Sequence, residues 1–429
     1  MNRVLILVVT GLGSLCSGGW ADSVRVERDP RIASDDAFPL RDTATYLAGE
    51  ITLVEHVNRI GVLRLDRDGT INKYHWDLPH EFRLLPYGAV SYRGAPAELK
   101  DIPIGTHLHG SFYLGPEGWY EVEPPVSGYV AGKMTRPDMR SVVSAFSRVL
   151  TLEDDFSFYQ RQGAGWKIVE LAEDRSQIVV ERVTLEDGQP DDAEGDAIGM
   201  TGRQVFRLDS GCRVWRGASV ATTDDLAVEQ VIQVNLGWVG LLGPQGQDAL
   251  CREIWIDAES RRVASDVQRG IHRAHQRRRG IAAKVIETES IPGEGARGWV
   301  TVEVHAGIDP ELVEEVAAAS SVAVWAVEPT LRGYDNDSKP GSRLEVSRIG
   351  NPEPGSAGVR IRMHFFEMIE GFRPGRTVRI APGDWPVLPR PREEKLWQKD
   401  IRIFSVGPRP VADRDGPPAS EPRVGEEEE

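Results

Sequence analysis

The chain has 429 residues, a length that predicts two to four domains. Hydrophobic residues make up 40% and charged residues 27%, which is typical of globular proteins and excludes a fully disordered chain or a multi-span membrane protein. The net charge of −15 argues against specific nucleic-acid binding, and three cysteines exclude a disulfide-rich miniprotein or a four-cysteine zinc site.

The N-terminal segment, residues 1–21, has the pattern of a secretory signal peptide. Arg3 supplies the positive charge, Val4–Leu15 is a short apolar region, and Ala21 is the small residue before the expected cleavage point. The apolar region is shorter than the roughly 20 residues that span a bilayer. We therefore expect an exported protein, periplasmic or secreted, with no transmembrane segment in the mature chain. Lipid attachment at Cys16 and a buried first element are the alternatives.

An internal repeat follows an extended lead-in at residues 22–45. Three short blocks recur in one order at a spacing of 123 or 124 residues, and each copy follows a strand–turn–strand pattern. The blocks are Phe82-Arg83-Leu84 with Phe206-Arg207-Leu208, Tyr92-Arg93-Gly94-Ala95 with Trp215-Arg216-Gly217-Ala218, and Asp101-Ile102-Pro103-Ile104 with Asp225-Leu226-Ala227-Val228. This self-similarity predicts two copies of one β domain, at residues 46–150 and 151–256.

The remaining part of the chain predicts an α+β domain at residues 281–406. Strands are predicted on both sides of Pro292-Gly293-Glu294-Gly295, followed by a short helix over Glu311–Ala319 with Asp309 as its N-cap. Whether this domain is a true third repeat is left open. Residues 407–429 are rich in proline and acidic residues and predict a disordered tail.

A strand hairpin, a connecting segment, a turn such as Ile104-Gly105-Thr106 and a final strand resemble the OB-like β-barrel domains of exported bacterial proteins. The resemblance covers residues 46–115 and 165–240, and extends to 284–405. It implies a five-stranded barrel with a binding face, and it transfers no catalytic residue. The predicted fold class is therefore mainly β, with two or three small OB-like barrels or sandwiches in tandem, joined by one amphipathic helix, and a short helix inserted in the third unit.

The joining segment, residues 257–280, predicts an amphipathic helix that ends at Gly280. Its apolar stripe is expected to contain Val263, Val267, Ile271 and Ala274. Residues 261–279 hold seven arginines and one acidic residue, in contrast to the acidic chain. The candidate anion-binding residues are Arg262, Arg269, Arg273 and Arg277. The alternative is that these arginines pair with acidic residues of the neighbouring domains.

Two histidines are the best candidates for metal chemistry. His107 and His109 lie two residues apart in a predicted strand, so they share one face, which is a known arrangement of metal ligands. No recognisable spacing places a further ligand beside them, and the second copy has Val231 and Gln233 at these positions. We expect no cofactor, with zinc or copper as the alternative.

Two cysteines, Cys212 and Cys251, remain after the expected signal cleavage. In an oxidising compartment they are a candidate disulfide, and two buried free thiols are the alternative. Catalytic sequence signatures such as G-x-S-x-G or H-E-x-x-H do not occur, so no catalytic residue is assigned.

The leading hypothesis is an exported noncatalytic binding or envelope-scaffold protein of unknown ligand. Its expected partner is an anionic polymer or another envelope protein. The alternative is a secreted hydrolase or metalloprotein that acts on an extracellular polymer.

Overall fold

Strands dominate the fold and close into three small barrels. The computed structural model describes residues 31–66, 79–115, 146–185, 202–237, 249–293, 296–327 and 338–387. The segment interpreted as a signal peptide, including Cys16, and the acidic tail at residues 407–429 lie outside the described residues.

The first barrel closes from five strands. These are β1 (Thr45–Glu55), β2 (Ile60–Leu65), β3 (Pro79–Tyr92), β5 (His107–Tyr113) and β6 (Arg148–Asp154), with the short β4 (Ala95–Ala97) at the edge of β3. The order is β2-β1-β5-β6-β3, and β3 pairs back to β2. All neighbours are antiparallel except β3 and β6, which are parallel. Alternate residues point inward, so that Ile51, Phe82 and Leu108 form part of the core. This is the five-stranded barrel that the OB-like resemblance implies.

The second barrel repeats the first strand by strand. It contains β7 (Ala164–Leu171), β8 (Gln177–Thr184), β9 (Arg203–Arg216), β11 (Val231–Gly237) and β12 (Ala249–Trp255), with β10 (Ser219–Ala221) at the edge of β9. Strands β9, β10 and β11 follow β3, β4 and β5 at a spacing of 124 residues. Strands β9 and β12 form the parallel pair. The predicted repeat is therefore confirmed at the level of topology.

One predicted domain boundary needs correction. The boundary drawn between residues 150 and 151 falls inside β6, which pairs with both β5 and β3 and completes the first barrel. The first barrel therefore ends at Asp154. The short helix α1 (Asp155–Arg161) follows without a loop, because Asp154 is its N-cap and accepts a hydrogen bond from the backbone N–H of Ser157.

The third barrel has six strands. They are β13 (Ile281–Ser290), β14 (Gly298–His305), β15 (Ser321–Ala326), β16 (Ser338–Arg348), β17 (Ser356–Phe365) and β18 (Thr377–Pro382), with helix α3 (Pro310–Ala318) between β14 and β15. They close in the order β13-β14-β17-β16-β15-β18, and every neighbouring pair is antiparallel. The inserted helix has Asp309 as its N-cap, as predicted. The strand order differs from that of the first two barrels, so the third barrel is not another copy of their topology.

The joining helix, α2 (Ala258–Arg279), forms where it was predicted, between its N-cap Asp257 and Gly280. The apolar stripe was expected to face the protein interior, but it faces solvent: Val267 and Ile271 are 54% and 47% exposed. The buried residues of the helix are Ser260, Ala264, Ser265, Gln268, His272 and Gln276. This polar face is buried because it packs against polar groups of the first barrel. None of the helices in the described part of the chain is long and apolar enough to cross a bilayer.

Candidate functional site

The two candidate histidines lie at the joint between the first barrel, α1 and the second barrel. His107 and His109 are on β5, and β-strand alternation directs both side chains to the same face. They are only 2% and 3% exposed. The pair therefore lies inside the protein, against the start of α1.

Asp155, the first residue of α1, joins the two imidazole rings. Its Oδ1 lies 2.8 Å from Nδ1 of His107 and 3.0 Å from Nε2 of His109. Its Oδ2 accepts a hydrogen bond from the backbone N–H of Leu236, in β11 of the second barrel, at 2.9 Å. One buried carboxylate thus contacts both barrels.

The outer nitrogens of the two rings also have partners. Nε2 of His107 lies 3.0 Å from Oδ2 of Asp66, which follows β2. Nδ1 of His109 lies 2.6 Å from the hydroxyl of Tyr46 in β1. Phe158 of α1 stacks on His109, with 3.7 Å between the ring centroids. All four ring nitrogens are therefore hydrogen-bonded within the protein.

The two histidines have opposite electrostatic environments. Burial lowers the pKa of His107, but Asp66 and Asp155 outweigh it and raise that pKa well above the usual 6.5. Burial lowers the pKa of His109. Burial tends to raise the pKa of Asp155, but His107 holds that pKa far below its usual value. The cluster is thus an imidazolium between two carboxylate side chains, with a neutral His109 that accepts from Tyr46 and donates to Asp155.

A second buried network extends the same joint. Asp154 accepts hydrogen bonds from the backbone N–H of Arg93 at 3.0 Å and from the side-chain amide of Asn235, in β11, at 2.8 Å. The carbonyl oxygen of Asn235 in turn accepts from the backbone N–H of Phe156 at 3.0 Å. Burial raises the pKa of Asp154 to about 6. Arg93 also pairs with Glu253 of β12 at 2.6 Å, so the first barrel is bonded to the second at several points.

The three side chains of the cluster can hold a metal ion only if bonds to the metal replace the hydrogen bonds between them. His107, His109 and Asp155 each offer one ligand atom, and these atoms lie within 4.8 Å of one another. In the part of the chain described, no other group of three histidine, cysteine or acidic residues is arranged in this way. Two nitrogens and one oxygen are suitable ligands for zinc. The side chains are 4% exposed or less, so a substrate has no access to an open coordination position there. A metal at this point would be structural.

Sequence reasoning found the histidine pair but missed Asp66, Tyr46 and Asp155. The one local signal was the acidic pair Asp154-Asp155 between an apolar strand and an aromatic segment, which is typical of a helix N-terminus. That signal predicts a cap, not a contact with histidines 46 and 48 residues earlier in the chain.

The candidate anion-binding arginines form ion pairs with nearby acidic residues. Arg262 pairs with Asp266 of the same helix at 2.9 Å. The other three pair with residues at the start or on the surface of α3: Arg269 with Asp309, Arg273 with Asp309 and Glu311, and Arg277 with Glu315. This pairing agrees with the alternative in which the arginines contact a neighbouring domain. Binding of an external anion there stays a prediction.

The two cysteines belong to one core but are free thiols in the structure. Cys251 is buried in β12, and Cys212 in β9 packs against the same cluster of the second barrel. Burial raises the pKa of Cys212 to about 12, and it raises the pKa of Cys251 strongly. Free thiols were one of the two alternatives, and pairing in an oxidising compartment stays a prediction.

Comparisons of the chain with models of protein families, with curated proteins and with solved structures find no match. The class of the protein is therefore defined by its fold: three small closed β-barrels in tandem, the first two of one topology. Within the described residues, the histidine pair that sequence reasoning singled out lies between barrels and not on an open surface.

Proposed function

We propose that this chain is an exported, noncatalytic binding or envelope-scaffold protein. The observation that carries the proposal is the burial of the His107–Asp155–His109 cluster at the joint of two barrels, with every ring nitrogen bonded inside the protein. Side chains arranged in this way fix the relative position of two domains. A hydrolytic site requires reactive groups that a substrate can reach.

A second joint supports the scaffold role. On α2, Ser265 donates to the carbonyl of Arg93, and the amide of Gln276 donates to Glu98 at 2.5 Å, so the helix is held on the first barrel. On its other side Arg273 pairs with Asp309 of the third barrel at 3.0 Å. A long helix bonded to two barrels holds them at a defined separation.

Export completes the proposal. It rests on the signal-peptide pattern of residues 1–21 and on the resemblance to exported OB-like domains. In this role the partner is an anionic envelope polymer or another envelope protein, and the barrel surfaces supply the binding face.

Two measurements test the proposal. The full chain is expressed in a bacterial host, and the intact mass of the exported form is measured; we expect loss of residues 1–21, and an uncleaved protein in the cytoplasm would contradict export. The purified mature protein is then titrated with anionic polysaccharides of defined length. Saturable binding with unchanged polymer length supports a binding protein, whereas shortened polymer would identify a hydrolase.

A metalloprotein is the second candidate, favoured by the three ligand atoms within 4.8 Å of one another. Elemental analysis of the natively purified, untagged protein separates the two. Zinc or copper near one equivalent, lost in the His107→Ala/His109→Ala variant but kept in His56→Ala, would show that a structural metal ion, and not the hydrogen bonds described, holds the cluster. His56 is the matched control because it is exposed in a turn. Metal well below one equivalent would leave the hydrogen-bonded cluster as described.

A further inference from the structure

An open-sided pocket lies where the first barrel, α2 and the third barrel meet. Its cavity volume is about 30 Å³, enough for about one or two water molecules or for the end group of a ligand. Each of the three elements contributes polar side chains: Arg59 and Glu98 from the first barrel, Gln276 from α2, and His305 and Arg379 from the third barrel. The pocket is distinct from the histidine–aspartate cluster and from the outer arginines of α2.

The pocket carries an excess of positive charge. Arg59 donates to the carbonyls of Pro86 at 3.0 Å and Gly88 at 2.7 Å, and Arg379 donates to the carbonyl of Gly280 at 2.7 Å. These oxygens are uncharged. Among the lining residues that the structure describes, Glu98 alone has a carboxylate, and it acts electrostatically on both guanidinium groups. One carboxylate of the pocket lining therefore faces two guanidinium groups, and Asp35, which is not part of the lining, adds a weaker attraction on Arg59.

Burial increases the free energy that is needed to keep this excess positive charge in the pocket. Loss of water lowers the pKa of Arg59 to about 10, and it also lowers the pKa of Arg379. Glu98 also accepts a hydrogen bond from the side-chain amide of Gln276. A second negative charge in the pocket would relieve the repulsion between the guanidinium groups.

His305 adds an unpartnered polar group to the same pocket. It is 2% exposed, and neither ring nitrogen makes a hydrogen bond of normal geometry, although the carbonyl of Pro86 lies nearby. A buried polar group without a hydrogen-bond partner destabilises the fold, because its lost hydration is not replaced. Burial, together with Arg59 and Arg379, lowers the pKa of His305 to about 3, so the ring is neutral and has one N–H to donate. The acceptor beside this N–H, the carbonyl of Pro86, already accepts from Arg59 at 3.0 Å, so an anion would supply an acceptor that the ring does not share.

We infer that this pocket binds a small oxyanion, the carboxylate or phosphate group of a ligand whose remainder extends into solvent. Guanidinium groups bind such oxygens with directed, charge-assisted hydrogen bonds. The small alanine and glycine residues that line the pocket, among them Ala89 and Gly307, leave room for the end group only. The inference does not depend on the scaffold proposal, because the site would bind an anion whatever the role of the protein.

The first test is isothermal titration calorimetry of the mature full-length chain in a zwitterionic buffer without added salt. Sodium acetate, sodium phosphate and sodium chloride are titrated separately. Saturable binding of acetate or phosphate near one per chain supports the inference, and the tighter of the two identifies the chemical group. Chloride binding as tight as both oxyanions, or no saturable binding at all, would overturn it.

Two variants locate the site. Arg379→Gln removes one guanidinium, and we expect the affinity for the oxyanion to fall about tenfold or more. Ala282→Glu places a carboxylate directly opposite Arg379 on the neighbouring strand, because the two residues are paired in register. This internal carboxylate should compete with the external anion without removing any contact of the fold.

The matched control is Arg348→Gln, since Arg348 lies on the surface of the third barrel and pairs with Glu314 at 2.7 Å. We expect its oxyanion affinity to equal that of the unaltered protein. Unchanged affinity in both Arg379→Gln and Ala282→Glu would place the anion elsewhere and overturn the assignment. If Arg379→Gln does not fold, Ala282→Glu alone decides.

Discussion

His107 shows how a single residue is stabilised in a charged form inside a barrel joint. Its ring lies between Asp66 and Asp155, at 3.0 Å and 2.8 Å, and all three side chains are at most 7% exposed. Buried charges are stable only when every partner is present, because an uncompensated charge has lost its hydration. Asp155 matters most, since it also contacts His109 and the backbone of Leu236.

The first prediction concerns Asp155. Asp155→Asn leaves the buried His107 with one carboxylate instead of two, so we expect the free energy of unfolding to fall by about 3–5 kcal/mol. The measurement is urea unfolding followed by tryptophan fluorescence. Asp224→Asn makes the same chemical change at an exposed position of the second barrel and should alter the free energy of unfolding by about 0.5 kcal/mol or less. Equal effects of the two variants would contradict the structural role of the cluster.

Only part of this residue cluster was predictable. Strand alternation places His107 and His109 on one face from their spacing alone. Asp155 and Asp66 lie 48 and 41 residues away from His107 in the chain. Their approach depends on barrel closure and on the direction in which α1 leaves β6, and no short-range pattern encodes either.

At the scale of elements, α2 shows the difference between predicting a helix and predicting its orientation. Its extent, from residue 257 to the terminating Gly280, was recognisable in the sequence, and the structure shows Asp257 as its N-cap and Gly280 with φ 71°. Its buried face was not. Gln268 and Gln276 bond to Asp101 and Glu98 of the first barrel, so the helix buries polar residues and exposes its valine and isoleucine stripe.

His272 gives the prediction for this element. It lies on the buried face of α2, is 1% exposed, and neither ring nitrogen has a hydrogen-bond partner. His272→Leu removes an unsatisfied buried polar group while keeping a side chain of similar volume, so we expect the free energy of unfolding to rise by about 1–2 kcal/mol. Chemical unfolding at pH 7 measures the change.

The control for this helix is Ile271→Ala on its exposed face, where we expect a change of about 0.5 kcal/mol or less. A loss of stability in His272→Leu, larger than that in Ile271→Ala, would show that the imidazole makes an interaction that favours the folded state.

At the scale of the whole molecule, stability depends on the buried His80 and His305 and the half-buried His275, which are neutral in the folded protein. The pKa of His80 is lowered to about 4, mainly by burial, and the pKa values of His275 and His305 are lowered to about 4 and about 3. The unfolded chain binds protons at these residues near pH 6.5 and the folded chain does not. Their contribution is therefore present above pH 6.5 and is lost as the pH falls. The pKa values of His107 and Asp154 are raised in the folded protein, so their contribution to stability is present at low pH and is lost as the pH rises.

The prediction for acid stability isolates one of these histidines. Between pH 7 and pH 4.5 the unaltered protein should lose about 2–3 kcal/mol more of its free energy of unfolding than His80→Gln does. Glutamine keeps a donor for the carbonyl of Phe146, which accepts from Nε2 of His80 at 3.0 Å. Urea unfolding at both pH values gives the difference. His56→Gln, at an exposed position, should behave like the unaltered protein, and a His80→Gln variant that also does so would refute the prediction.

The sequence by itself determined the local structure and the repeat of this protein. Alternating apolar residues, turn residues and helix caps act over a few positions, so the mainly β class, two related barrels, α2 and the inserted α3 were all predictable. Tertiary structure alone decided the end of the first barrel at Asp154, the outward face of α2, the histidine–aspartate cluster and the pocket beside Arg379. Each of these depends on contacts between residues that are far apart in the chain, and such contacts are set by barrel closure and by the packing of whole barrels.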